Sequence, residues 1–162
     1  FEISYDSLGE LKLEEQNINT IKEIVLIEQK NLEKKIVGII RDESWFKWRV
    51  LDCPYKKNIF IFSYKNNYFI LNLKTKNNLK ILKLIYSTLP VGDEILKLFN
   101  KFVKKNKIDY LSYISREKRT NLNLPWKKKI NFSFFSNDKF IMNEVDNHLD
   151  DIQYIDSDID FL

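Results

Sequence analysis

The sequence predicts an α+β protein that consists of an N-terminal helix, an antiparallel β-meander, a helical pair and then further antiparallel strands. Two observations support this: some regions carry apolar residues at helical spacing, and others are β-branched or aromatic runs with a two-residue period. Hydrophobic residues make up 44% of the 162 residues, with only three Gly and three Pro. This composition favours a folded core over extended loops. We expect one domain over residues 1–145 and an acidic tail over residues 146–162.

The first expected elements are a short strand and a helix. Weak alternation of apolar and polar residues predicts the strand at Glu2–Tyr5. The helix is expected over residues 20–35, with Thr20 as its N-cap and Glu23 reaching back to it in a capping box. Most of one face of this helix is apolar, since the residues at helical spacing are Ile21, Ile24, Val25, Glu28 and Leu32.

Two short strands are predicted after the helix, at residues 36–40 and 46–50. The first is a β-branched run, and the second alternates strictly between apolar and basic residues. Because successive side chains of a strand point to opposite faces, one face of the second strand would hold the apolar set and the other the basic set. These sets are Phe46, Trp48 and Val50 on one face, and Lys47 and Arg49 on the other.

A hairpin is expected after a turn at residues 53–58. The β-prone runs 59–64 and 68–74 flank the polar residues Lys65-Asn66-Asn67. Polar residues between two such runs are typical of a hairpin. Four strands in succession then complete the predicted meander.

The predicted helical pair follows, divided by Pro90. Asn77 or Asn78 is expected to cap the first helix. Its inner face would contain Leu79, Leu82, Ile85, Tyr86 and Leu89. The second helix starts with acids and ends with lysines, an order that complements the helix dipole. Its inner face would contain Ile95, Leu98, Phe99, Phe102 and Val103.

The last third of the chain is predicted to return to strands. A strand is expected at residues 108–115, followed by a basic connection over 116–129. Residues 130–135 and 139–145 then flank Ser136-Asn137-Asp138 as a second hairpin. These strands either extend the first sheet or form another one.

Charge is distributed very unevenly along the chain. Residues 44–143 carry 21 Lys and Arg against six Asp and Glu, whereas residues 144–162 carry seven acids and no Lys or Arg. An AT-rich codon bias explains a high lysine content, but it does not explain this segregation. A basic body indicates a polyanionic partner.

Aromatic rings accompany the basic residues, a combination typical of proteins that bind single-stranded nucleic acid through phosphate contacts and base stacking. Lys outnumbers Arg by 23 to 4, which favours non-specific backbone contacts over the reading of base edges. Trp126 is the ring that we expect to contact a partner, whereas Phe46, Trp48, Phe60 and Phe62 are expected in the core. The candidate binding residues are Trp45, Lys47, Trp48, Arg49, Arg116, Lys118, Arg119, Trp126, Lys127, Lys128 and Lys129.

The acidic tail is the second functional candidate. Its last seven residues, Asp156 to Leu162, combine acids with a hydrophobic end. They resemble the acidic C-terminal tips of bacterial single-stranded-DNA-binding proteins and of some phage counterparts, although no glycine-rich linker precedes them and Phe161 is penultimate. The resemblance implies a tail that recruits other proteins and occupies the binding groove when nucleic acid is absent. A sliding-clamp-binding peptide over residues 153–162, or a final helix or edge strand packed on the domain, are the alternatives. The candidate tail residues are Asp156, Asp158, Ile159, Asp160, Phe161 and Leu162.

No catalytic, cofactor or metal motif stands out. The single Cys53 and the single His148 are too few for the usual zinc sites or for a nucleophilic pair. Asp109 with Glu117-Lys118-Arg119 resembles the spacing of the PD-(D/E)xK nucleases, which implies a magnesium site, with Arg119 in place of the usual lysine. We nevertheless expect no enzymatic activity, no cofactor and no bound metal.

The sequence therefore favours a non-enzymatic protein that binds single-stranded DNA or RNA and uses its acidic tail for regulation or for recruiting other proteins. The alternative is a structural or adaptor subunit of a larger viral or organellar assembly. No run of residues is long and apolar enough for a membrane span, and an intracellular location is favoured. The oligomeric state is left open.

Overall fold

A computed structural model describes residues 11–33 and 40–113 of the chain. Helices and strands are both present, which confirms the predicted α+β class. The predicted strand at Glu2–Tyr5, most of the predicted strand at residues 36–40 and the predicted elements after residue 113 lie outside the described residues. The elements are β1 (Lys12–Glu14), α1 (Ile18–Leu32), α2 (Glu43–Phe46), a π-helical turn (Lys47–Leu51), a 3₁₀ turn (Lys56–Asn58), β2 (Ile59–Tyr64), β3 (Asn67–Lys76), β4 (Leu79–Ser87), α3 (Asp93–Lys105) and β5 (Tyr110–Ser112).

The five strands form one sheet in the order β1-β2-β3-β4-β5. Neighbours from β1 to β4 pair antiparallel, so an antiparallel meander is present. β5 pairs parallel to β4, and α3 makes the crossover between them. A parallel neighbour needs such a connection, because a tight turn joins only antiparallel strands.

Both faces of the sheet are covered by helices. Alternate residues of each central strand enter two separate cores, as the two-residue period of a strand requires. The core on the face covered by α1, hereafter the α1 face, includes Ile21, Ile24, Val25, Phe46, Val50, Ile59, Ile61, Tyr68, Ile70, Ile85 and Tyr86. The core on the opposite face, hereafter the α3 face, includes Phe62, Tyr64, Phe69, Leu71, Leu82, Leu84, Ile95, Phe99 and Phe102.

Helix α1 confirms the predicted amphipathic helix, but its N-cap is Asn17. The Oδ1 of Asn17 accepts a hydrogen bond from the backbone N of Thr20 at 2.9 Å. The prediction of Thr20 as N-cap is therefore wrong. Asn caps a helix at least as well as Thr, and starting the helix one turn earlier places Ile21 within a complete turn.

The first hairpin is confirmed, with Lys65 and Asn66 as its two-residue turn. Their φ angles are 47° and 61°. Two successive positive φ angles are the geometry of the type I′ turn that best fits the twist of paired strands. Asn77 and Asn78 form a second turn of this kind, with φ angles of 51° and 63°.

The prediction of a helix over residues 77–89 is consequently wrong, because β4 occupies most of this range. Leu82 and Leu84 face α3, while Ile85 and Tyr86 both enter the core of the α1 face. The register between β3 and β4 shifts between Ile70 and Leu71, so β4 carries one extra residue at this point. Burial on both faces, combined with this bulge, imitates the apolar spacing of a helix.

Helix α3 confirms the second predicted helix. It begins with Asp93 and Glu94 and ends with two lysines. Its buried residues are Ile95, Leu96, Phe99 and Phe102, and Leu98 and Val103 pack partly against the same core. None of the described helices has the length and apolarity needed to cross a membrane.

A buried ion pair connects α1 to the strands and to the start of α2. Oε1 of Glu28 lies 2.5 Å from Nη1 of Arg41, and the hydroxyl of Tyr86 donates to Oε2 of Glu28 at 2.7 Å. The guanidinium of Arg41 also lies 5.9 Å from the centre of the Tyr86 ring. Both oxygens of the carboxylate are thus used, which is the condition under which a buried charge is tolerated.

Replacing Glu28 tests this network. Glu28→Ala leaves the Arg41 charge buried without its carboxylate, so the free energy of unfolding should fall by about 3–5 kcal/mol. Glu28→Gln should lower the free energy of unfolding by less, because glutamine can still form hydrogen bonds at this position. Gln29→Ala, on the exposed side of the same helix, should change the value by less than about 0.5 kcal/mol. Urea unfolding monitored by circular dichroism measures all three, and equal effects of Glu28→Ala and Gln29→Ala would contradict the assignment.

The second turn offers another test. Asn78→Gly should raise the free energy of unfolding by up to about 1 kcal/mol, since glycine adopts a positive φ without steric cost. Asn78→Val should lower it by about 1–2 kcal/mol. Asn100→Gly, in the middle of α3, is the matched control and should destabilise the protein. If residues 77–89 formed a helix, Asn78→Gly would instead lower the free energy of unfolding, whether Asn78 were its N-cap or its first residue.

Candidate nucleic-acid interface

The segment before the first long strand is helical. Oδ1 of Asp42 accepts a hydrogen bond from the backbone N of Trp45 at 2.7 Å, so Asp42 caps α2. The backbone N of Asp52 donates to the carbonyl of Lys47 at 3.0 Å, which is the longer-range hydrogen bond of a π-helical turn. One α turn is therefore followed directly by one wider turn.

The prediction of a strand at residues 46–50 is wrong. Phe46 and Val50 are both fully buried, whereas Trp48 is 58% exposed. A strand would give these three side chains one face, but a helical turn places the middle one opposite the other two. The signal that sequence analysis missed is Asp42 followed by Glu43, an acidic pair typical of a helix N-terminus.

The expected core role of four rings is confirmed for three of them. Phe46 and Phe62 are buried, and Phe60 packs partly buried against the core of the α3 face. Trp48 is the exception, because more than half of its surface reaches solvent. Its exposure makes it available to a partner.

Arg49 holds the Trp48 ring in place. Its guanidinium carbon lies 4.6 Å from the centre of the Trp48 ring and 6.0 Å from the centre of the Trp45 ring. Arg49 itself is only 6% exposed. Cation–π contacts of this kind are strongest when the cation is removed from water, so the exposed indole is backed by a buried positive charge.

Trp45 and Lys47 complete this group. Trp45 is half-buried and meets Phe46 edge to face, with ring centres 5.1 Å apart and planes at 87°. Lys47 is exposed. The structure thus brings together the predicted binding residues that it describes, and we call Trp45, Lys47, Trp48 and Arg49 the Trp48 site. Trp48 and Lys47 are its accessible members, and Trp45 and Arg49 support them.

Sequence analysis missed three further candidates in the adjoining turn. Tyr55 is 46% exposed, and Lys56 and Lys57 are exposed beside it in the chain. Their signal was the same combination of ring and lysine that marked the Trp48 site. The sequence predicts only a turn here, because Pro54 and Asn58 enclose these residues.

The few acids of this region are concentrated at element ends. Residues 44–113 hold 14 Lys and Arg and only four acids. Among the acids, Glu94 accepts a hydrogen bond from the Tyr64 hydroxyl at 2.5 Å and another from Lys65 Nζ at 3.0 Å. The Tyr64 bond and then Lys65 lower the pKa of this carboxyl. Because Lys and Arg far outnumber the acids in residues 44–113, this part of the chain has a strong surplus of positive charge.

Asp109 has a structural role in the described residues. Its Oδ2 accepts a hydrogen bond from the backbone N of Lys80 at 2.8 Å, and its own backbone N donates to the Lys80 carbonyl at 2.9 Å. These bonds attach the start of β5 to β4. No group of three His, Cys, Asp or Glu that could hold a metal ion occurs among residues 11–33 and 40–113.

Cys53 is buried in the same core as Phe46 and Val50. Desolvation by burial raises the pKa of its thiol, and its Sγ lies 3.9 Å from the carbonyl oxygen of Val50. Because the thiolate is the nucleophilic form of cysteine, a raised pKa makes Cys53 a poor nucleophile. Its packing with Val50 and Ile59 indicates a core residue.

Several predicted site residues lie outside the described part of the chain. Those of the basic connection are Arg116, Lys118, Arg119, Trp126, Lys127, Lys128 and Lys129. Those of the acidic tail are Asp156, Asp158, Ile159, Asp160, Phe161 and Leu162. Their roles, and the part of Glu117 in the nuclease-like spacing, stay predictions.

Comparison with known protein families finds no family that matches the chain, and none of the curated proteins is significantly similar to it. Any functional argument consequently depends on the chemistry of the chain's own residues.

The opposite placement of Phe46 and Trp48 leads to a stability test. Phe46→Ala removes a fully buried ring and should lower the free energy of unfolding by about 3–5 kcal/mol. Trp48→Ala removes mainly the contact with the buried Arg49 and should cost about 1–2 kcal/mol, which is clearly less. Chemical unfolding of the two variants measures the difference. Similar large losses in both would mean that the two rings share one buried face, as the strand prediction required.

Proposed function

We propose that this protein is a non-enzymatic nucleic-acid-binding protein that engages single-stranded DNA or RNA mainly through its phosphate backbone. The observation that carries the proposal is the Trp48 site, where an exposed indole rests on a buried guanidinium beside an exposed lysine. Base stacking on an aromatic ring and phosphate contact with cations are the two interactions that single-strand binders combine.

Trp48, at 58%, is the most exposed aromatic ring among the described residues. Phe46, Phe69 and Phe99 illustrate the common case, since each is at most 1% exposed. A Trp left in solvent gives up most of the free energy that burial would contribute. Stacking of a base on the ring contributes on the order of 1–3 kcal/mol of binding free energy. Base stacking would therefore account for an exposed ring at this position.

Arg49 makes the ring ready for such stacking. An indole held against a fixed guanidinium loses little rotational freedom when a base stacks on its outer face, so less conformational entropy opposes binding. A wide π-helical turn forms this surface, and turns of this kind are frequent at functional sites.

The lysine-rich body supplies the sequence-independent part of binding. Lys acts on phosphate as a point charge and lacks the planar fork with which Arg reads guanine. We therefore propose little base specificity and a strong dependence on salt. The acidic tail would compete for the basic surface or recruit other proteins. We infer this role from the sequence of the tail alone.

A second candidate function, a structural or adaptor subunit of a larger assembly, is favoured by one observation. Leu26 on α1 is 57% exposed, and Ile40 is 75% exposed. Exposed aliphatic residues of this kind would be covered by a protein partner. Under this alternative, Leu26→Ala would impair assembly, and Trp48 would make no contribution to nucleic-acid binding.

Oligonucleotide binding tests the proposed function. Fluorescence anisotropy with an oligo(dT) or oligo(U) of about 20 nucleotides at low salt should show binding that weakens steeply as salt rises. Trp48→Ala should weaken it by about 5- to 150-fold, the equivalent of one stacked base. Trp48→Phe should retain much of the affinity because it keeps a ring.

Leu26→Ala is the matched control, because Leu26 and Trp48 are almost equally exposed. It should leave the affinity unchanged. Undetectable binding of every single-stranded probe at low salt would refute the proposed function. Equal affinities of wild-type protein and Trp48→Ala would remove the Trp48 site from it.

A further inference from the structure

A short, hydrogen-bonded turn connects the Trp48 site to β2. Residues 53–58, hereafter the lysine turn, begin directly after Asp52, whose backbone N closes the π-helical turn. The backbone N of Lys56 donates to the carbonyl of Cys53 at 3.2 Å, and the 3₁₀ turn follows at once. Lys56 and Lys57 therefore project from an ordered backbone that adjoins the Trp48 site.

Gln16 anchors the lysine turn from another part of the chain. It lies between β1 and α1, and its Nε2 donates to the carbonyl of Lys56 at 3.2 Å and to the carbonyl of Ile59. Because the last residues paired between β1 and β2 are Glu14 and Ile61, the side chain of Gln16 extends this pairing past the end of β1. Ile59 is buried in the core of the α1 face, so the turn is attached to a fixed point.

The two lysines of the turn are accessible to a ligand. Lys56 and Lys57 are exposed, and neither ammonium group has a hydrogen-bond or ion-pair partner among residues 11–33 and 40–113. Lys65 illustrates the other case, since its Nζ lies 3.0 Å from Oε1 of Glu94. A phosphate that binds to Lys56 and Lys57 would therefore replace only water at their ammonium groups.

The lysine turn and the Trp48 site surround the same buried thiol. Burial raises the pKa of the Cys53 thiol, and a hydrogen bond with the backbone of Tyr55 opposes this change. The positive charges of Lys56 and Arg49 also lower this pKa, so both cations lie close enough to act on one sulfur. Arg49 is the cation that lies 4.6 Å from the centre of the Trp48 ring. The chain thus holds Lys56 beside the group that supports the exposed indole.

We propose that Lys56 and Lys57 are the phosphate contacts of the Trp48 site. Gln16 is the positioning residue that holds them beside the stacked base. This inference rests on the proposed function and specifies which cations of the basic body act together with Trp48. Successive side chains of a 3₁₀ turn diverge by about 120°, so the two ammonium groups suit two phosphates of one strand better than a single anion.

A fixed backbone distinguishes these lysines from a pair on an unanchored loop. Holding a phosphate costs a lysine side chain conformational freedom, and ordering the backbone at the same time would add to this cost. The two bonds from Gln16 order the turn before a ligand arrives. Lys97 and Lys101 are also exposed, but α3 carries them on the opposite face of the sheet. They are therefore a suitable control.

Paired lysine variants test the phosphate contacts. Lys56→Gln with Lys57→Gln removes two charges from the lysine turn, and Lys97→Gln with Lys101→Gln removes two from α3. With the same oligo(dT), the first pair should weaken binding by about tenfold or more and lower the salt slope by about 1.4, since each phosphate contact with a single strand contributes about 0.7. The second pair should change both quantities much less. Lys56→Arg with Lys57→Arg should keep most of the affinity, because it keeps both charges.

A double-mutant cycle tests the positioning role of Gln16. Gln16→Ala leaves every charge in place and should weaken oligo(dT) binding by about threefold to tenfold. In protein that already carries Lys56→Gln and Lys57→Gln, it should have no further effect, because residues that act through one another are not additive. A general loss of structure would instead weaken binding equally in both backgrounds, and this result would overturn the role of Gln16.

Lysine acetylation of the wild-type protein provides a measurement that does not depend on how the variants fold. Saturating oligo(dT) should protect Lys56 and Lys57 from acetylation, as read by mass spectrometry. Lys97 and Lys101 should stay as reactive as in the free protein. Unchanged reactivity of Lys56 and Lys57 would contradict the proposed contacts.

The outcomes separate this inference from the proposed function. If wild-type protein binds and Trp48→Ala weakens it, while the variant of the lysine turn binds normally, the inference fails and the proposed function stands. Equal losses in both lysine pairs would also overturn the inference, since they would indicate a general charge effect. If no oligonucleotide binds wild-type protein, the proposed function fails and the inference fails with it.

Discussion

The burial of one sheet between helices on both faces is the constraint on which the rest of this structure depends. It requires β3 and β4 to be apolar on both sides, as Ile70 and Leu71 illustrate, and it divides the interior into two cores. The α1 face also takes in a charge, because Arg41 is buried against Glu28 and Tyr86. With both faces occupied near the centre, exposed rings and charges are left to the ends of strands and to the helical segment Glu43–Leu51, which packs on the α1 face.

The same constraint explains which elements the sequence could reveal. Helix α3 was predictable because its acids, lysines and apolar stripe agree with one another, and the first hairpin was predictable from polar residues between β-prone runs. Strand β4 was not, since Leu82, Ile85, Tyr86 and Leu89 follow helical spacing although a bulge and two-sided burial produce it. The parallel pairing of β5 depends on a crossover, which local patterns do not encode.

The four candidate site residues that the structure describes lie on one segment, but the geometry of that segment differs from the predicted strand. Trp45 to Arg49 do lie together, but on a helical segment, so Trp48 faces solvent where a strand would have buried it. The pairing of Asn72 with Lys83 could not be found from spacing, because the two residues become neighbours only through the register of two strands. Lysines in this chain are too frequent for any one of them to be informative without that register.

The wide turn at Lys47–Leu51 makes the length of this segment as important as its composition. In a regular α-helix, four residues overshoot one full revolution by roughly 40°, whereas the wider turn aligns Phe46 and Val50 more closely on the core side. A relative lacking one residue here would form an ordinary helix and rotate the indole by about 100°. An insertion or deletion in this segment, with every ring and lysine retained, would therefore point the exposed indole in a different direction.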